Sequence, residues 1–234
     1  MQPGISEVEN NLKTINMRIK QAAASCGRNP ETVKLLAVSK IVSADRIKQA
    51  IHAGVTRLGE SYIQEAREKI KILADHPVTW HFIGHLQTNK AKYAVRLFDL
   101  IHSVDSLNLA HELNKQAKKI NKTQNILIQV NTGMEPTKSG VSIPDARNLI
   151  KEVSLLENLS IKGLMTMPPF FNDPEKVRPY FSALRELGDS IKKESIPNVV
   201  MDELSMGMTG DFEAAIKEGA TIVRIGTAIF GKRD

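Results

Sequence analysis

Short apolar runs alternate with longer amphipathic segments along most of the chain. The runs are rich in Val, Ile and Leu, which is typical of strands buried on both faces of a parallel sheet. We predict eight such strands, at residues 33–40, 56–61, 78–84, 99–105, 125–131, 161–167, 203–207 and 221–227. The segments between them carry helix signals. One begins at Ser43, a good N-cap, and closes at Gly54.

A separate amphipathic segment precedes the first strand. Within residues 5–25, apolar side chains recur at helical spacing, at Ile5, Val8, Leu12, Ile15 and Ile19. The polar residues between them predict a leading helix with one buried face.

The number and spacing of the strands favour one fold class. Successive strand ends lie roughly 20–40 residues apart, the size of one βα unit. A length of 234 residues suits an α/β protein with a (β/α)8 TIM barrel. We therefore expect a single domain over 1–234, with a leading helix and linker over 1–30 and the barrel over 31–234. An open doubly wound sheet is the alternative, because periodicity does not separate the two.

Composition excludes several classes of protein. A single cysteine, Cys26, rules out an internal disulfide and a cysteine-based zinc site, and fits a reducing compartment. No window is apolar enough to cross a bilayer, and no secretory segment is apparent, so we expect a cytoplasmic protein. The formal net charge of +6 comes from basic residues mixed with acidic ones, and aromatic residues make up only 5%. We therefore expect no nucleic-acid partner. We also expect the protein to be a monomer.

Chemistry-bearing residues follow several predicted strands, at the end of a barrel where functional groups collect. The first strand ends at Ser39 and Lys40, and the eighth at Gly226 and Thr227. The seventh runs into SMGMTG, residues 205–210, just before a predicted helix. Small residues and hydroxyls there let backbone N–H groups close on an anion, so we predict a phosphate site. A tight turn with a helix cap is the alternative.

Arg224 stands among β-branched residues in the middle of the eighth predicted strand. Counting by twos, it shares a strand face with Ile222, as Lys40 does with Leu36. If both faces point inward, an amine and a guanidinium enter the barrel mouth beside the anion site. A structural pair between Arg224 and a carboxylate across the barrel is the alternative.

These groups together indicate a cofactor. A lysine near fixed positive charge in a low dielectric has a lowered pKa, and its neutral amine forms Schiff bases. A Schiff-base lysine, a phosphate site and an arginine facing an aromatic nitrogen are the features that bind pyridoxal phosphate. An arginine in that place leaves the ring nitrogen unprotonated and weakens the ring as an electron sink.

The residues also resemble a known family. The stretches LLAVSK, LGESYIQEA, WHFIGHLQTNK, IHSVDS, KSGV, GLMTMPPF and LSMGMTGDFEAAIKEGATIVRIGTAIFGKR are similar to the pyridoxal phosphate homeostasis protein family, over essentially the whole chain. Members are lone barrels like the N-terminal domain of bacterial alanine racemase. The resemblance implies that fold, with an extra N-terminal helix, and pyridoxal 5'-phosphate as the cofactor.

The resemblance further implies which residues bind the cofactor. Lys40 would carry the aldimine, and Arg224 would face the pyridine nitrogen. The phosphate would be held by residues at the ends of strands seven and eight, namely Ser205, Gly207, Gly226 and Thr227, with Met206 in the same turn. Lys138 matches a second lysine with an ancillary role. Ser61 replaces the usual asparagine, so a shorter hydroxyl stands where an amide would meet the ring.

A metal site at His81 and His85 is not supported. On a strand, four residues span roughly 13 Å, and no carboxylate or cysteine accompanies the pair. His81 is either a satisfied core histidine or a neighbour of the cofactor.

Three functions follow. The first is a non-catalytic protein that holds pyridoxal phosphate for vitamin B6 and amino- and keto-acid homeostasis, with apo-enzymes as possible recipients. The second is a pyridoxal-phosphate-dependent racemase, which needs two bases. The third is an unrelated class I aldolase or lyase using Lys40. We favour the first, because a second domain supplies the second base in alanine racemases, and an open barrel mouth admits water.

Overall fold

A computed structural model describes residues 6–135 and 138–231. Its sheet is a closed barrel of eight parallel strands in the order β1 to β8, with β1 paired to β8. Helices connect successive strands on the outside. This confirms the predicted (β/α)8 barrel over the open doubly wound sheet.

The strands fall where the apolar runs predict them. They are β1 (Lys34–Val38), β2 (Arg57–Glu60), β3 (Thr79–Phe82), β4 (Leu100–Val104), β5 (Gln124–Gln129), β6 (Leu159–Met165), β7 (Val199–Ser205) and β8 (Ile222–Ile225). The helices are α1 (Glu7–Ser25), α2 (Ala44–His52), α3 (Ile63–Ile72), α4 (Ala91–Leu97), α5 (Leu107–Lys118), α6 (Ile143–Ser154), α7 (Arg178–Lys192), α8 (Phe212–Lys217) and α9 (Thr227–Phe230).

The strand boundaries lie within two residues of the predicted ones except at the start of β7, and two of the differences have clear physical reasons. The first strand stops at Val38, because the backbone turns after Ser39, whose N–H still bonds Gly59 O at 2.9 Å. Lys40 therefore lies in the turn after β1. The seventh strand begins at Val199, earlier than predicted, since the acidic residues within it obscure the apolar pattern.

The barrel interior and the helix layer have separate cores. Inside the barrel lie five buried side chains, Leu36, Leu100, Leu127, Met165 and Ile222. A much larger apolar layer joins the outer faces of the strands to the helices. Since Leu36 and Ile222 point inward, period-two counting directs Lys40 and Arg224 toward the same interior.

The leading segment is helix α1, as predicted. Ser6 caps it by accepting a hydrogen bond from Glu9 N at 3.2 Å. Its apolar face, Val8, Leu12, Ile15 and Ile19, is buried. Arg18 lies over the Phe212 ring of α8, 4.7 Å from its centroid. Ile5, also predicted to belong to this face, lies outside the described residues. Across the described ranges, none of the helices has the length and apolar character needed to span a membrane.

Gly163 of β6 lies directly against Glu203 of β7. Its φ is +155°, and a Cβ atom there would overlap the carbonyl oxygen of Glu203. We expect Gly163→Ala to lower the free energy of unfolding by at least about 2 kcal/mol. Urea unfolding followed by circular dichroism measures this change.

Gly188 in α7 provides the matched control. A Cβ atom there would make ordinary contacts, 3.4 Å from Leu204 Cδ2 and 3.7 Å from Leu164 Cδ1. Gly188→Ala should leave stability unchanged or raise it by up to about 1 kcal/mol, because alanine favours the helix. Equal effects of the two substitutions would contradict the steric account.

Candidate functional site

A cavity of about 770 Å³ opens at the carboxyl ends of the strands. Five residues predicted from the sequence line it: Lys40, Ser61, Arg224, Gly226 and Thr227. They come from the ends of β1, β2 and β8. Because β1 pairs with β8, with Leu36 opposite Arg224, the lysine and the guanidinium belong to neighbouring strands.

Thr209 and Gly210 also line the cavity. They belong to the predicted anion-binding turn, although Ser205, Met206 and Gly207 are the residues of that turn expected to bind the cofactor. The Thr209 and Thr227 hydroxyl oxygens are 3.4 Å apart. Two loops thus bring hydroxyls to one wall, as expected of an anion site. The pattern of small residues and hydroxyls in SMGMTG includes both residues, so the sequence carries the signal for them.

The other four predicted residues are absent from the described cavity lining. Met206 is fully buried in the outer core. Gly207 has a φ of +90°, and a Cβ atom there would lie 2.6 Å from Ala215 Cβ, so its role is to let the turn pack on α8. Lys138 Nζ donates to Pro168 O at 3.2 Å and pairs with Glu135 Oε1 at 2.8 Å.

Ser205, the fourth, is fully buried and supports Arg224. Arg224 Nη1 donates to Ser205 Oγ at 2.7 Å, and Nη2 donates to Thr166 O at 2.8 Å. The hydrogen bonds of the guanidinium therefore go to a hydroxyl and a carbonyl, whereas the alternative required a carboxylate. Burial lowers the pKa of Arg224 to about 10, with the charge of Asp211 opposing that shift, so the group stays cationic at neutral pH.

A chain of hydrogen bonds continues from Ser205 into the barrel. The Ser205 hydroxyl oxygen lies 2.9 Å from His102 Nδ1, and His102 Nε2 lies 2.9 Å from His81 Nδ1. Since Ser205 accepts from Arg224, its own hydrogen can be donated to His102, which in turn donates from Nε2 to His81. This assignment gives each hydrogen bond in the chain one donor and one acceptor. His81 is therefore a bonded core histidine beneath the site.

Both imidazoles are held neutral. Burial, reinforced by the electrostatic influence of the neighbouring His81 and of Arg224, keeps the pKa of His102 well below its ordinary value of 6.5. Burial lowers the pKa of His81 to about 3, with Arg57 and Lys34 adding to the shift. Beneath the cavity, Arg224 thus rests on a chain of neutral hydrogen-bonding groups, Ser205, His102 and His81.

The cavity combines an amine, a buried guanidinium and a hydroxyl-lined wall. Lys40 can form a Schiff base with an aldehyde by losing water from the first adduct. Thr209 and Thr227 can donate to an anion, and Arg224 can donate to a neutral aromatic nitrogen. The arrangement suits a small anionic aldehyde with a heteroaromatic ring.

Comparison with known proteins gives concordant findings. The sequence profile described as "Alanine racemase, N-terminal domain" matches residues 10–234. A curated protein of Aquifex aeolicus (strain VF5) called pyridoxal phosphate homeostasis protein is 47% identical over 222 residues, which cover 95% of this chain and 96% of that protein.

Two solved structures superimpose on the chain. PipY of Synechococcus elongatus PCC7942, solved with PLP bound, has a TM-score of 0.85 at 34% identity, covering 96% of this chain and all of that one (100%). Alanine racemase of Clostridium difficile 630 has a TM-score of 0.75 at 17% identity, covering 95% of this chain and 57% of that one. The second likeness shows the fold alone.

The neutral histidines predict how stability depends on pH. The unfolded chain binds a proton on each imidazole near pH 6.5, whereas the folded protein excludes these protons until far lower pH. Stability is therefore retained above pH 6.5 and falls as the pH decreases toward 3. Between pH 7 and 5.5, urea unfolding should show a loss of about 2 kcal/mol for the pair.

The control is the double variant His81→Gln/His102→Gln. Its stability should change much less between the same two pH values, whatever its starting stability. Equal pH dependence in both proteins would contradict the neutral assignment.

Proposed function

The chain belongs to the pyridoxal phosphate homeostasis protein family, and from this premise we propose that it binds pyridoxal 5'-phosphate and holds it without catalysis. Attachment is through a Schiff base on Lys40 Nζ. The bound cofactor serves intracellular vitamin B6 and amino- and keto-acid homeostasis, and apo-enzymes that need it are the recipients. The observation that carries this proposal is the meeting of Lys40 and Arg224 in one cavity.

The residues present fit each part of the cofactor. Lys40 supplies the amine for the aldehyde. Thr209, Gly226 and Thr227 surround the phosphate, which explains the hydroxyls on this wall. Arg224, fixed by Ser205 and Thr166 O, donates to the ring nitrogen. Ser61 lines the same cavity near the ring.

Arg224 also supports a holding role over a catalytic one. When bound, pyridoxal phosphate supplies a ring that withdraws electrons from an attached amino acid. A cationic guanidinium is a donor without a lone pair to accept a proton, so it favours the unprotonated ring nitrogen. That form withdraws electrons weakly.

A racemase is the second candidate, and Tyr62 is the residue that favours it. Racemisation needs a base on each side of the α-carbon, and Tyr62 lines the cavity that contains Lys40. However, Tyr62 is 55% exposed at the mouth, where water competes for a carbanion. The geometry therefore favours holding.

Lys138 is proposed to assist cofactor handling. Its bond to Pro168 O ties its loop to the segment after β6, and Met167 and Phe170 of that segment line the cavity. Movement of Lys138 is thereby coupled to the cavity wall.

Borohydride reduction tests the attachment. Protein incubated with pyridoxal phosphate should turn yellow, and reduction should leave the pyridoxyl group on Lys40 alone, as located by peptide mass spectrometry. Lys40→Ala should lose the label. Lys90→Ala, which removes another cavity-lining lysine, should keep it on Lys40. A label that survives in Lys40→Ala would refute the assignment.

Exchange of the α-proton for deuterium distinguishes a non-catalytic binding protein from a racemase. In deuterium oxide, the protein loaded with pyridoxal phosphate should exchange the α-proton of alanine and other amino acids no faster than the free cofactor does. Proton NMR follows the loss of the α-proton signal. Robust exchange that disappears in Tyr62→Phe would establish the racemase instead.

A further inference from the structure

Three charged side chains form a cluster behind Lys40, here called the Lys69 cluster: Glu60 and Lys69, which are buried, and Glu65, which is partly exposed. Glu60 ends β2 and is fully buried, while Lys69 of α3 is only 7% exposed. Lys69 Nζ lies 2.9 Å from Glu60 Oε1 and 2.5 Å from Glu65 Oε1. The cluster therefore joins the end of β2 to the helix that follows it.

The cluster bonds both chain neighbours of Lys40. On one side, Lys69 Nζ donates to Ser39 O at 2.6 Å, and Ser39 Oγ donates to Glu60 Oε1 at 2.6 Å. On the other side, Ile41 N donates to Glu65 Oε1 at 2.6 Å. Lys40 is thus the middle residue of a turn that is fixed at both ends by charged groups.

The turn needs such restraint. Ile41 has a φ of 60°, in the left-handed region that β-branched residues strongly avoid. Its side chain is 62% exposed, so core packing does not hold it there. A strained backbone persists where its surroundings over-determine it, and such strain collects at functional sites.

Stability alone explains the cluster poorly. Desolvation raises the pKa of Glu60, against the hydrogen bond from Ser39 and the charge of Lys69. Glu60 Oε2 is buried without a hydrogen-bond partner among the described residues. An apolar trio of similar volume would often serve stability as well as a buried ionic group. What it would lack is the set of bonds to Ser39 and Ile41.

We propose that Lys69 is a positioning residue that, with Glu60 and Glu65, holds the Ser39–Ile41 turn in its strained form and thereby presents the Lys40 amine to the cavity. The inference rests on the proposed role of Lys40 as the Schiff-base residue. Without the cluster, Ile41 relaxes to negative φ and the amine is displaced from its attachment geometry.

Lys69→Met tests this in the full chain. The dissociation constant for pyridoxal phosphate should rise by about tenfold or more, and the visible Schiff-base band should weaken at a fixed cofactor concentration. Borohydride labelling of Lys40 should fall in parallel. Glu65→Ala changes a partly exposed side chain and should also raise the dissociation constant. It replaces Lys69→Met as the test if that variant folds poorly.

Lys122→Met is the matched control. Lys122 is partly buried, and its amine, like that of Lys69, donates to the backbone: to Val95 O and Phe98 O, both at 2.8 Å. It precedes β5 and so lies at the opposite end of the barrel from Lys40. Its loss should lower stability while leaving cofactor affinity and labelling unchanged. A tenfold loss of affinity in this variant too would reduce the Lys69 effect to general destabilisation and overturn the proposal.

A measurement without cofactor separates the positioning role of Lys69 from the proposed role of Lys40 in cofactor binding. Hydrogen exchange of the Ile41 amide should accelerate in Lys69→Met and stay slow in Lys122→Met, whether or not pyridoxal phosphate binds. If wild type fails to label at Lys40, the proposed function fails. If wild type labels, and Lys69→Met has unchanged exchange and affinity, only the positioning role fails.

A second-site change tests the strain itself. Asparagine tolerates the left-handed region far better than isoleucine. Ile41→Asn in the Lys69→Met protein should therefore recover part of the lost affinity. Absence of any recovery would contradict the claim that the cluster acts by holding Ile41.

Discussion

The parallel pairing of β1 with β8 closes the barrel and decides where the cations of the cavity lie. Leu36 stands opposite Arg224 in that pairing, and the next inward positions are Val38 and Gly226. Lys40 follows Val38 in the turn after β1 and lines the same cavity. Residues from the two ends of the chain thereby line one cavity. An open sheet would leave them at opposite edges, so the candidate chemistry depends on closure.

Closure of the barrel also buries the Arg224 guanidinium. Polar groups inside the barrel supply its hydrogen-bond partners. Arg224 donates one hydrogen bond to Ser205 Oγ and another to Thr166 O. Ser205 is then bound to His102, and His102 to His81, with both imidazoles neutral. Among the residues that the structure describes, no carboxylate is hydrogen-bonded to this cation at the barrel mouth, a state suited to receiving an electron-rich ligand atom.

The sequence predicts what depends on local pattern. Eight apolar runs, the turn of SMGMTG and the period-two parity of Lys40 and Arg224 all follow from residue order, and the barrel brings them together as expected. Thr209 was within reach of the same reasoning. The early start of β7 was not, because Asp202 and Glu203 interrupt its apolar pattern.

Roles that arise only from packing could not be predicted. The sequence predicts that Ser205 holds the phosphate, since a hydroxyl before a helix suits an anion, whereas in the structure its side chain is bonded to Arg224 and His102. Lys69 belongs to an amphipathic helix in which a lysine normally faces water. Its burial against Glu60 and the Ser39 carbonyl depends on how α3 packs over β1 and β2.

A crystal structure of the protein soaked with pyridoxal phosphate tests the central claim most directly. The account predicts continuous electron density from Lys40 Nζ to the cofactor, with the phosphate at Thr209 and Thr227 and the ring nitrogen beside Arg224. Density for the cofactor at another lysine, or a phosphate bound away from that wall, would contradict it.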